Sequence, residues 1–167
     1  MTIDQKLGRD FFAKKADEAA QGLLGRTITR QFKGTQINGI ITEVSAWEGS
    51  TKSSSDGMLY APGTIGVSCK FGKYLMDIAT EVSGIYSCIT MIGAEFDWSG
   101  RKQRVEGPGN FTEALKIDKE FDKLKVYEND LVYIEGGKMP QQEILKREKK
   151  NAPKNCLGYF YIKEIKR

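Results

Sequence analysis

The densest chemistry in the chain lies in Ile41-Thr42-Glu43-Val44-Ser45-Ala46-Trp47. In an extended segment alternate residues share a face, so Ile41, Glu43, Ser45 and Trp47 stand together, opposite Ile40, Thr42, Val44 and Ala46. The second set is apolar enough to meet a core. The first ends in a carboxylate, a hydroxyl and an indole, a costly group to bury without purpose. The chain contains no histidine. Any general base must therefore be Asp, Glu, Lys, Tyr or an activated Cys. Ser45 without a partner base has no useful basicity near neutral pH. Cys69, Cys88 and Cys156 are widely spaced and form no C-x-x-C pair. Three thiols cannot complete a four-ligand zinc site, so no metal is expected and the thiols read as reduced and unpaired.

The elements that must hold these residues can be read around them. Asp10 to Gly25 reads as one amphipathic helix, capped by Asp10, with Phe12, Ala16, Ala19, Ala20 and Leu23 on one face and Gly25 placed to end it. Thr27 to Phe32 reads as a strand, Lys33-Gly34-Thr35 as a turn and Gln36 to Trp47 as a long strand. Gly49 to Gly57 reads as a loop. Short strands are expected at Met58 to Tyr60, Thr64 to Phe71, Tyr74 to Ala79 and Ser87 to Ile92, with a turn near Gly84. Asp97 to Glu106 reads as a polar connector. Gly107-Pro108-Gly109 is a tight backbone feature, and Asn110-Phe111-Thr112-Glu113 resembles a capping box opening a short helix through Leu115 and Ile117. Leu131 to Glu135 and Leu157 to Ile162 read as strands. Lys146 to Lys154 could track a phosphate backbone, although a solvated helix face is the simpler reading.

Composition sets the frame. With 167 residues, 40% of them hydrophobic, the chain suits one domain, residues 1–167, with one core. No internal repeat or dividing linker is evident. No apolar run reaches the length of a membrane span, and Met1 to Lys14 has no signal-peptide core, so a cytoplasmic protein without membrane contact is expected. The formal charge of +4 permits contact with phosphates without demonstrating it.

Several segments, in order, resemble the alkyladenine (3-methyladenine) DNA glycosylase family. They are Phe11-Phe12 with Leu23-Leu24-Gly25-Arg26; Ile41 to Gly49; Ala61-Pro62-Gly63-Thr64 through Phe71-Gly72; Glu106-Gly107-Pro108-Gly109 with Ala114 to Asp118; and Cys156 to Tyr161. Together they span most of the chain. The resemblance implies an α+β fold: a single compact domain with a mixed or antiparallel curved sheet and flanking helices, akin also to the formyltransferase C-terminal domain. It implies a monomer acting on double-stranded DNA with a damaged or modified base, and no cofactor. Such proteins flip a purine into a pocket, fill the gap with an aromatic wedge, and activate water with a glutamate.

Carried over residue by residue, Trp47 matches a stacking aromatic and Phe71 the wedge, flanked by Lys70 and Lys73 as candidate backbone contacts. The departures gather in the pocket. Ser45 stands where the family has its catalytic glutamate. Ser68 stands where a second stacking tyrosine is expected, Met91 or a close neighbour where there is an arginine, and Asp77 at a pocket asparagine. The loop Ser50 to Asp56 is shortened and lacks a histidine. Glu43 shares the Ser45 face but lies two residues off, roughly 6.6 Å along a strand, too far for the same water unless the strand bulges. Glu48 points away. Asp77, whose pKa an apolar wall would raise, is the better candidate for a rescue base. Three functions stay open: a protein that binds a nucleobase flipped from DNA but is impaired as a 3-methyladenine glycosylase; an active N-glycosidic-bond hydrolase with another water activator; or a protein that sequesters a free nucleotide or serves as an interaction scaffold.

Overall fold

The structure, a computed structural model, describes residues 5–49, 61–81 and 87–167. The expected loop Gly49 to Gly57 (beyond Gly49 itself), the strand Met58 to Tyr60 and the turn near Gly84 lie outside them. In chain order the elements are α1 (Arg9–Phe12), α2 (Ala16–Leu23), β1 (Thr27–Phe32), β2 (Thr35–Glu48), β3 (Ile65–Lys70), β4 (Lys73–Ala79), β5 (Ser87–Trp98), β6 (Arg101–Glu106), α3 (Pro108–Ala114), a 3-10 turn (Lys119–Phe121), β7 (Val132–Ile134), β8 (Leu145–Arg147) and β9 (Cys156–Tyr161).

One antiparallel sheet carries all nine strands, in the order β3-β4-β5-β2-β1-β7, with β6 on β5, β9 on β2 and β8 on β9. The β2–β5 ladder is its axis. Along the outer edge of β2, β1 pairs residues 35–40 and β9 takes over from Glu43. Along the outer edge of β5, β4 pairs residues 88–90 and β6 takes over from Gly93. Both exchanges occur where the axis is irregular, around Thr42 and Ile92. A bulge bends a strand and increases its twist, so the sheet curves where it changes partners.

That bulge also corrects the simple alternation expected for β2. Ile41 is buried in the main core beside Val44 and Ala46, whereas Glu43, Ser45 and Trp47 face the other way. The extra residue at Thr42 moves Ile41 across the sheet. The core is closed by α2, whose Ala16, Ala19, Ala20 and Leu23 are buried at helical spacing and pack against β2, β5 and β9.

Four further expectations are corrected. The N-terminal segment is two helices, not one, and Asp10 lies inside the first. The Glu81 N–H donates to the carbonyls of Phe12 and Lys14, drawing them out of a continuous i→i+4 ladder. Gly25 does follow the helix, at φ 89°. The polar connector Asp97 to Glu106 is a hairpin, β5 continuing to Trp98 and β6 returning, because Ser99 and Gly100 both hold positive φ in a two-residue turn. Helix α3 starts at Pro108, with Gly107 at φ 104° before it and no side-chain cap. Asn110 sits inside the first turn and donates back to the Glu106 carbonyl. The basic segment after Ile144 begins as strand β8, paired to β9, rather than as a helix face.

Candidate base-binding cleft

Five strands bring one residue each into a row. The register aligns Gly66 of β3 with Asp77 of β4, Asp77 with Thr90 of β5, Thr90 with Ser45 of β2, and Ser45 with Tyr159 of β9. Directly opposed residues share a sheet face, so a carboxyl, two hydroxyls and a phenol lie in line. Thr90, Ser45, Trp47 and Tyr159 line a cleft of about 340 Å³, together with Glu43, Ile92, Gly107, Pro108 and Lys149. The positive φ of Gly107, costly for other residues, turns the chain so that Pro108 forms part of this wall.

Trp47 is held on several sides. Its indole N–H donates to Ser45 Oγ at 2.9 Å. Its ring meets Tyr159 edge to face, centroids 6.1 Å apart at 82°, and it packs on Ala79 and Cys88. Ser45 is buried, and its Oγ accepts the Trp47 N–H. Thr90 Oγ1 donates to Asp77 Oδ1 at 2.6 Å. Burial raises the Asp77 carboxyl to about 6, against the opposing pull of the Thr90 hydrogen bond and of Lys70. The same burial pushes the Cys88 thiol up, with Asp77 adding to the effect.

At the other end of the cleft Glu43 is engaged. Arg147 donates to it at 2.7 Å and lies 4.4 Å from the Tyr161 ring centroid. The Lys149 ammonium stands 4.3 Å from the centre of the Tyr159 ring.

The structure thus brings Ser45, Trp47 and, through Thr90, Asp77 together. It does not bring Met91 to them. Met91 is fully buried in the core, and its neighbours Thr90 and Ile92 line the cleft instead, because side chains along a strand alternate in face. Ser68 lies exposed on β3 opposite Leu75, outside the cleft lining. Phe71 is fully exposed rather than a core residue. It holds φ 51° beside Gly72 at φ 78°, and these two residues form the tip of the β3–β4 hairpin. Lys70 is exposed beside it. Lys73 is committed to Asn110 at 2.8 Å and Glu113 at 3.2 Å.

Thr90 and Tyr159 are not singled out by the sequence, and Lys149 and Arg147 only as part of the basic stretch Lys146 to Lys154. A signal existed for the first two. Thr90 is the polar member of Cys88-Ile89-Thr90-Met91-Ile92, and Tyr159 and Tyr161 alternate with Phe160. Lys149 and Arg147 are placed only by the pairing of β8 with β9. Among the described residues no cluster of His, Cys, Asp and Glu could hold a metal ion, and no helix is long and apolar enough to cross a membrane.

Comparison with known proteins agrees with this architecture. The family model for methylpurine-DNA glycosylase (MPG) matches residues 10–153. The chain is 26% identical over 158 residues to an Anaeromyxobacter sp. (strain Fw109-5) protein named "Putative 3-methyladenine DNA glycosylase", covering 88% of this chain and 81% of that one. It is 27% identical to the DNA-3-methyladenine glycosylase of Mus musculus, covering 79% of this chain and 49% of the mouse protein. With the Homo sapiens DNA-3-methyladenine glycosylase it shares 26% identity, covering 83% of this chain and 57% of the human one. The chain therefore spans about half the length of these mammalian relatives.

Proposed function

The chain belongs to the methylpurine-DNA glycosylase family, and from that premise we propose that it captures a nucleobase flipped from damaged or modified DNA while cleaving the glycosidic bond poorly or not at all. The observation that carries this is the state of Ser45. A hydroxyl that accepts the Trp47 indole N–H and, among the described residues, is hydrogen-bonded to no carboxylate, in a chain without histidine, cannot draw a proton from water at neutral pH. The parts that hold a base are retained. Trp47 offers a ring fixed at the cleft wall, and stacking on such a ring is worth about 1–3 kcal/mol per base. Phe71 at an exposed hairpin tip has the area and position of a wedge.

The test is a base-release assay on methylated duplex DNA, with native protein and Ser45→Glu side by side. The native chain is expected to bind the DNA and release little 3-methyladenine. The variant is expected to release it faster by roughly 10²–10⁴-fold, the usual worth of a positioned general base. Native release as fast as that of the variant would overturn the reading.

One contact favours a second reading, in which Asp77 activates water through Thr90. The carboxyl, at about 6, has the basicity of a working general base, and its 2.6 Å bond to Thr90 links it to the cleft. On that reading the native chain releases base, and Asp77→Asn abolishes the release.

A further inference from the structure

We propose that the floor of the cleft has a fixed hydrogen-bond polarity, Thr90 Oγ1 as acceptor beside Ser45 Oγ as donor, and that it selects a base whose exposed edge sets an N–H next to an acceptor. This rests on the base-capture reading and names the class of base that is captured.

The polarity follows from how the two hydroxyls are already used. A hydroxyl has one proton and two lone pairs. The Thr90 proton goes to Asp77, so toward the cleft Thr90 presents lone pairs alone. Ser45 takes the Trp47 N–H into one lone pair, and an indole N–H cannot accept in return. The Ser45 proton therefore stays available to the cleft. The two residues are direct register partners, with their Cβ atoms roughly 5 Å apart, so both hydroxyls reach one edge of one base.

The other polar groups at the cleft have partners of their own. Glu43 is bound by Arg147, Lys149 lies against the Tyr159 ring, and the Tyr159 phenol is hydrogen-bonded with Cys156. Trp47 sets the plane of the base but reads no edge, since its N–H is spent. A purine with an amino or lactam N–H beside a ring nitrogen or carbonyl satisfies both hydroxyls. A purine stripped of that N–H leaves the Thr90 oxygen desolvated and unpaired, and sites built to bond a substrate N–H reject analogues that lack it.

The experiment uses duplexes that place adenine, hypoxanthine or unsubstituted purine opposite an abasic site. Binding is followed by Trp47 fluorescence in a Trp98→Phe background, since the chain has two tryptophans. Adenine and hypoxanthine are expected to bind on the order of tenfold more tightly than unsubstituted purine. Thr90→Val should erase that preference and Thr90→Ser should keep it. Equal binding of the three probes by the native chain, or a preference that survives Thr90→Val, overturns the proposal while leaving base capture intact. Failure of every probe to bind or to change Trp47 fluorescence overturns base capture and this inference with it.

Discussion

On one face of β4, β5 and β2 stand Met76, Ile78, Ile89, Met91, Val44 and Ala46, all fully buried. On the other, alternating with them residue by residue, stand Asp77, Thr90, Ser45 and Trp47. The same three strands thus carry a core and a cleft one side chain apart. Packing holds the first face to tight limits, because a lost methylene there leaves a cavity. The second face is constrained by hydrogen bonds and can change its chemistry without unfolding the sheet. That difference is how a scaffold can keep its shape while the residues that line its cleft change.

The core face is the more sensitive of the two to truncation. Met91→Ala is expected to destabilise the fold by about 2–5 kcal/mol, read as a shift in urea midpoint. Thr90→Val, one position away, opens no cavity and is expected to cost about 1–3 kcal/mol through the hydrogen bond lost to Asp77, while changing which base binds. A large loss of stability at Thr90 would mean that the two faces are not separable.

Asp77 is where the faces interfere, and pH exposes it. Burial holds its carboxyl at about 6, above the ordinary 3.8. Between those values the unfolded chain has released a proton that the folded chain retains. The folded state then binds more protons, so stability falls as pH rises from about 4 to about 6 and levels off above. The cost at neutral pH is on the order of 2–3 kcal/mol. Asp77→Asn is expected to remove this slope. Urea unfolding of both proteins at pH 4 and pH 8 checks it: the gap between them should move in favour of the variant at the higher pH. A gap that stays constant would show that Asp77 is solvated in solution.

Much of this arrangement was legible in the sequence, and the failures share a cause. The strand Gln36 to Trp47 and its polar face from Glu43 to Trp47 follow from alternation, which is local, whereas the hairpin at Phe71 follows from the family resemblance. Ile41 was assigned to the wrong face because the bulge at Thr42 answers to the partner strand and leaves no mark in the local pattern. Position within the resemblance points to Met91 or a close neighbour, and counting alternate residues from Ile89 selects Thr90 among them. The break between α1 and α2 depends on the Glu81 N–H, far away in sequence. Ser99-Gly100 was a readable turn, outweighed by the charge around it.

The smallest effect on the fold should come from Phe71, and that is its value as a test. The side chain is fully exposed and held at a positive φ, and a solitary exposed ring at a hairpin tip has no packing role to lose. Phe71→Ala should leave the urea midpoint within about 0.5 kcal/mol of the native value. If the ring fills the gap left by a flipped base, the same substitution should weaken duplex binding by about 1–2 kcal/mol, roughly tenfold, read by fluorescence anisotropy with a labelled duplex containing an abasic site. Binding of a free nucleoside at Trp47 should not change, because that site lies in the cleft and the wedge acts only on the duplex. Phe71→Trp should restore the duplex affinity, since a wedge requires area and not a particular ring. Unchanged duplex binding in Phe71→Ala would place DNA contact elsewhere on the surface and leave the cleft to be reached by a free base.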